Sequence, residues 1–177
     1  MESDLSATMT ATFTVPGRAV VNHPVTVTVK DVPAGAEYTA TIDTSGSFGT
    51  GISDGPIPSE RLSIVNPGLA DISVSFAKND SGTITIFNNS GGEIRLYGGS
   101  GNGGQLTISV GESFVLTSIT IATSTNNGYS IDGGTAITTS GVKTILDGSS
   151  SSTVIKNVAS GTNQVRITLI TITYRVK

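Results

Sequence analysis

The chain has 177 residues, of which 13% are charged, with 10 basic residues against 13 acidic ones and a net charge of −3. Nucleic acid and anionic membrane surfaces are held by clustered lysine and arginine; here the basic residues are scattered singly, so neither partner is expected. The lack of cysteine excludes a disulfide framework, thiolate metal sites and a cysteine nucleophile.

In chain order, period-two alternation recurs. Ala11, Phe13 and Val15 share one face, as do Val25, Val27 and Val29, then Tyr38, Ala40 and Ile42. Ile72, Val74 and Phe76 follow, then Ile84 with Ile86, Ile94 with Leu96, and Leu106, Ile108 and Val110. The intervening positions are mostly Thr and Ser, which predicts antiparallel strands with one solvated face. No stretch carries a helical stripe. Two strands break phase in the same way. LTSITI spaces Leu116, Ile119 and Ile121 by three and then two, and ITLITI does the same with Ile167, Ile170 and Ile172. One extra residue in each restores the inward aim, so β-bulges are expected near Thr117–Ser118 and Thr168–Leu169, on strands that neighbour each other in one sheet.

Gly, Asn, Asp and Pro clusters punctuate these strands, and the longest, SGSFGTGISDGPIPSE at 45–60, is the best candidate boundary. Before it, PVTVTVKDVPAGAEYTATI reads like the opening strands of an Ig-like sandwich, too short to be complete. These strands either join the later sheet or form an arm. The expected division is a β-rich segment over 1–45 and a β-sandwich over 46–177. No run is apolar enough to cross a bilayer, so no membrane insertion is expected. The start, MESDLSATMT, has neither the basic nor the apolar part of a secretory leader. That leaves a product kept in the cytoplasm or assembled there into something larger, or a chain whose leader is missing.

The order DISVSFAKND, GGEIRLYGG, QLTISVGE, LTSITIATSTNNGYSI and VRITLITITY resembles a discoidin-like β-sandwich module common in Bacteroidetes surface proteins and also seen in phage structural proteins. The resemblance covers about residues 45–176. It implies an all-β, antiparallel, jelly-roll-like sandwich without catalytic role, serving adhesion, carbohydrate contact or structure. One departure is the segment TAITTSGVKTILDGSSSSTVI, which lacks the aromatic residues that family members often carry there.

GGSGNGG at 98–104 is followed by LTISV, a strand, whereas a phosphate loop leads into a helix. It reads as a hairpin loop, exposed and open to a partner. Arg95 is either ligand-facing or a surface residue paired with Glu93 or Asp71. His23, the only histidine, sits in VNHPV, a turn before a strand, without a nucleophile motif or companions for zinc. Asp43, Asp54, Asp71, Asp80, Asp132 and Asp147 fall in turns or at strand ends. No pair points to glycoside hydrolysis and no calcium-loop pattern occurs, so a structural calcium is the most they suggest. The segment STNNGYSIDGG combines Asn126, Asn127, Tyr129 and Asp132, amides and a carboxylate for hydroxyls and a ring for a sugar face. The plain alternative is an Asn-Gly turn with a packed tyrosine.

Together these features describe a non-enzymatic structural or interaction protein without cofactor. The expected setting is a phage virion, as a capsid decoration or head fibre protein that docks on protein partners by its N-terminal segment and forms a homo-oligomer. The alternative is a carbohydrate-binding adhesion module at a bacterial cell surface.

Overall fold

A computed structural model describes residues 5–13, 21–29, 35–44, 54–59, 62–65, 68, 70–82, 86–88 and 92–177. Val15, Ile84 and much of the turns at 16–18, 31–35 and 45–60 lie outside the described residues. The chain forms two compact units, 1–34 and 35–177.

The first unit is a two-stranded antiparallel ribbon of β1 (Leu5–Phe13) and β2 (Val21–Val29). Its register is unbroken: Leu5 lies opposite Val29, Ala7 opposite Val27, Met9 opposite Val25, and Thr8 opposite Thr26. The register thus sets apolar positions against apolar ones and Thr against Thr. His23 lies within β2, opposite Ala11, and not in a turn before it. Pro24 is accommodated because both strands of a two-stranded ribbon are edge strands.

The second unit is a β-sandwich. Its strands are β3 (Glu37–Asp43), β4 (Gly55–Pro56), β5 (Ser63–Val65), β6 (Ile72–Ala77), β7 (Ile86–Asn88), β8 (Glu93–Tyr97), β9 (Gln105–Val110), β10 (Phe114–Asn126), β11 (Tyr129–Ile131), β12 (Lys143–Ile145), β13 (Ser152–Asn157) and β14 (Gln164–Val176). The first sheet runs β12-β10-β14-β3-β5, with β8 also on β14 and β7 on β8; the second runs β11-β13-β9-β6-β4. All strand pairs are antiparallel, and no α-helix occurs among the described residues. Apart from the β7–β8 hairpin, each successive strand crosses to the other sheet, a jelly-roll-like winding.

The chain divides after Ala34, not at residue 45. The reason is β3, which pairs with β14 on one side and β5 on the other and so belongs to the sandwich.

Both expected bulges are present, and the two phase-broken strands are neighbours. Leu116 faces Tyr174 and Ser118 faces Thr173, leaving Thr117 as the extra residue on β10. Ala122 faces Leu169 and Thr123 faces Ile167, leaving Thr168 as the extra residue on β14. Leu116, Ile119, Ile121, Ile167, Ile170 and Ile172 therefore all enter the core. Each fully buried Leu or Ile contributes roughly 1.5–3 kcal/mol relative to exposure. A third bulge follows, at Ser124, between the pairs Thr123–Ile167 and Thr125–Arg166.

On one side, β14 serves two neighbours in succession: Gln164–Ile167 pair with β8 and Leu169–Arg175 with β3. Thr44 plugs the junction. It is fully buried, and its hydroxyl donates into a cluster of three carbonyl oxygens, Thr168 at 2.6 Å, Gly92 at 2.7 Å and Ile167 at 3.1 Å. At the far end of the core Tyr174 stacks on Tyr38 at 5.6 Å and meets Phe114 edge-on at 5.5 Å.

Candidate functional site

The segment 124–134 does not converge on a sugar. The Asn126 side-chain carbonyl accepts the Gly128 N–H at 3.0 Å, a local turn that the positive φ of Gly128 permits. Asn127 donates its amide and side-chain N–H groups to the Gln164 carbonyl, at the start of β14. Tyr129 is fully buried and belongs to the core, so it offers no ring face to a sugar. Its hydroxyl has no hydrogen-bond partner among the described residues, and burial pushes its pKa up. Asp132, at φ 49°, turns back on β13: its carboxylate accepts the Thr153 hydroxyl at 2.8 Å and the Val154 N–H at 2.7 Å. Asn127 is thus tied to the first sheet and the Asp132 carboxylate to the second, while Asn126 closes a local turn and the Tyr129 ring lies in the core. The packed-tyrosine turn is the arrangement observed.

The glycine run is not a hairpin loop, because β8 and β9 lie in different sheets. It crosses the end of the sandwich against the 157–163 segment. The Gly98 N–H donates to the Asn163 carbonyl at 2.7 Å and the Gly103 N–H to the Asn157 carbonyl at 2.9 Å. Glycine is needed here for close approach: a Cβ at Gly103 would stand 2.5 Å from the Tyr97 carbonyl oxygen. Buried Asn157 completes the knot, donating to the Leu96 and Asn163 carbonyls and accepting the Ala159 N–H. Gly98, Gly103 and Gly104 are buried at the two ends of the run, while Ser100 and Gly101 at its tip are exposed.

Beside the edge strand β12 lies a cleft of about 460 Å³ with Leu116 and Ile131 at its base and Asp132, Asp147 and Ser150 on its walls. A second hollow of about 290 Å³, holding Lys143 and Arg175, lies on the other side of Ile145, which is 72% exposed. Neither has an aromatic lining residue. The Ser149 N–H and hydroxyl hold the Asp147 carboxyl below the usual range. Among the described residues no group of three or more His, Asp or Glu side chains is placed to hold a metal.

The most organised polar cluster is on the outer face of the first sheet. In β8, Ile94 and Leu96 enter the core, which turns Glu93, Arg95 and Tyr97 outward. In β14, Val165 and Ile167 enter the core, which turns Gln164 and Arg166 outward. Register sets Arg95 directly opposite Arg166 and Tyr97 opposite Gln164. Arg95 pairs with Glu93 at 3.3 Å, one of the two partners expected from sequence, and Arg166 approaches the same carboxylate oxygen at 4.0 Å. The Ser124 hydroxyl, aimed by the third bulge, donates to the other Glu93 oxygen at 2.5 Å. Arg166 also donates from Nε to the Gln164 side chain at 3.0 Å. Two guanidinium groups thus share one carboxylate. Sequence reading singled out Arg95 but not Arg166, because the opposition depends on register.

Comparison of the chain with protein-family models, with curated proteins and with solved structures returned no match.

Proposed function

We propose that the chain is a non-enzymatic structural and interaction protein whose N-terminal ribbon docks on a partner chain while the sandwich carries a surface outward. The carrying observation is the separation of a fully registered two-stranded ribbon from a sandwich with a core of its own. Two strands alone are marginally stable in water and need a further strand or a packed surface. A ribbon of nine-residue strands offers two long edges for strand addition. The resemblance to discoidin-like modules of phage structural proteins supports a virion setting, as a capsid decoration or head fibre protein. Copies joined in an oligomer would hold a repetitive shell by avidity.

Light scattering on a sizing column tests this reading. A stable trimer or larger ring supports it, as does a monomer that copurifies with particles. A monomer that binds no particle and no partner chain ends it. A second reading, adhesion to a glycan at a cell surface, is favoured by one observation: Arg95, Arg166 and Tyr97 lie together on one sheet face.

A further inference from the structure

We infer that the outer face of the first sheet at Arg95, Arg166 and Tyr97 binds an acidic saccharide, its carboxylate or sulfate held between the two arginines. This rests on the adhesion reading and moves the contact away from the 124–134 segment.

Like charges directly opposite each other on a sheet repel, and Arg95 and Arg166 are such a pair. Glu93, shared between them, brings one negative charge against two positive ones, and its other oxygen accepts the Ser124 hydroxyl. One positive charge stays uncompensated among the described residues, on a chain whose net charge is −3. Each guanidinium has five N–H donors in a planar fork suited to paired oxyanion oxygens. Within the described residues Arg95 and Arg166 donate hydrogen bonds only from Nε, and Arg166 Nη1 stands 4.0 Å from Glu93. The side chains are 22% and 35% exposed, so their stems are packed while the groups still reach solvent. The bulge at Ser124 places a hydroxyl over the neighbouring strand, the kind of re-aiming for which bulges are used beside functional sites.

The surroundings favour a saccharide over a protein partner. The row offers one aromatic ring, Tyr97, with the Gln164 amide and the Thr125 hydroxyl opposite or beside the arginines. These suit a ring face and several hydroxyls. A protein partner would more typically be met by a central apolar anchor, whereas the described side chains around the two arginines on β8, β10 and β14 are Glu93, Ser124, Thr125 and Gln164, all polar.

The test is a titration of the isotope-labelled full chain, followed at the arginine Nε–H signals. The probes are a galacturonate oligomer, its neutral galactose counterpart, sodium sulfate and a glutamate peptide. The galacturonate oligomer is expected to shift the Arg95 and Arg166 signals, more weakly as salt is added, and the galactose oligomer is not. Arg166→Gln and Arg95→Gln should each weaken binding about tenfold or more, with Arg166→Lys in between. Each variant removes one of two opposed charges, so folding is expected to persist, as melting curves would show. Galacturonate binding that is unchanged in both glutamine variants overturns this site and leaves adhesion standing. No binding of either oligomer overturns both. A response to sulfate alone, or tighter binding of the glutamate peptide, overturns the saccharide assignment.

Discussion

The Thr44 hydroxyl lies 2.6 Å from the carbonyl oxygen of Thr168, the residue that bulges from β14 where its neighbour changes from β8 to β3. A break in the ladder leaves carbonyls without a strand partner, and burying them unpaired is unfavourable. Thr44→Val keeps the shape and removes the donor. It should destabilise the sandwich by about 1–3 kcal/mol, lowering Tm by roughly 3–10 °C. Thr44→Ser should melt close to the parent. Thermal denaturation followed by circular dichroism reads both, and a valine variant with an unchanged Tm would remove the hydroxyl from this role.

Tyr129 carries the opposite expectation. A buried hydroxyl without partner gains nothing from its polarity. Tyr129→Phe is therefore expected to be neutral or stabilising at neutral pH. Burial raises the folded-state pKa of Tyr129 above the unfolded value of about 10. Below that value both states hold the proton and the stability is complete. As pH rises past it, the unfolded state releases its proton first, and stability falls until the folded-state pKa is reached. The urea midpoint of the parent should thus drop further between pH about 8 and about 11 than that of the phenylalanine variant. Equal drops would show that Tyr129 does not contribute to alkaline unfolding.

Asp132 joins an unusual backbone to a side-chain clip. Its φ of 49° suits Asp, Asn or Gly, and its carboxylate receives both Thr153 and Val154. Asp132→Ala loses both features and should cost about 1–3 kcal/mol. Asp132→Asn keeps the turn and one acceptor and should cost less. Reversal of that order in denaturant titration would contradict the clip.

Two glycines of one loop should respond differently. Alanine at Gly103 puts a methyl 2.5 Å from the Tyr97 carbonyl oxygen and 2.9 Å from that of Asn157, both backbone atoms. The knot has to open, and the loss should match severe overpacking, about 3 kcal/mol or more. At Gly101 there is open space, and only the φ of 88° resists, which costs about 1–2 kcal/mol. Comparable melting of Gly103→Ala and Gly101→Ala would mean that the loop is looser than its backbone contacts imply.

The architecture was legible where apolar residues carried the phase. The spacing of three then two at Leu116–Ile119–Ile121 and Ile167–Ile170–Ile172 located two bulges and paired two strands, because a buried face penalises any other register. The bulge at Ser124 lies in a polar run, where no apolar phase exists to be broken. Tyr129 sits in a three-residue strand buried throughout, so alternation carried no information there. The Asn-Gly and Asp-Gly steps around it suggested a surface site while the ring turned inward. The glycine run gave the composition of a hairpin, but whether two strands pair or pass to opposite sheets is decided by the rest of the sheet. The same long-range pairing brought β3 into the sandwich and set Arg95 against Arg166.

The double service of β14 fixes the order in which the molecule can be completed. Thr44 and Thr168 are 124 positions apart, and β14 is the strand to which β10, β3 and β8 are all joined. A ribosome adding about 5–20 residues per second makes β3 many seconds before its partner emerges. Until then the first sheet has no middle, and three strand edges wait open together. In the second sheet β6 and β9 can pair as they appear, whereas β11 waits for β13, which joins it to β9 and is made just before β14. The last strand to leave the ribosome is therefore the middle of the layer bearing the arginine pair, and that layer closes last.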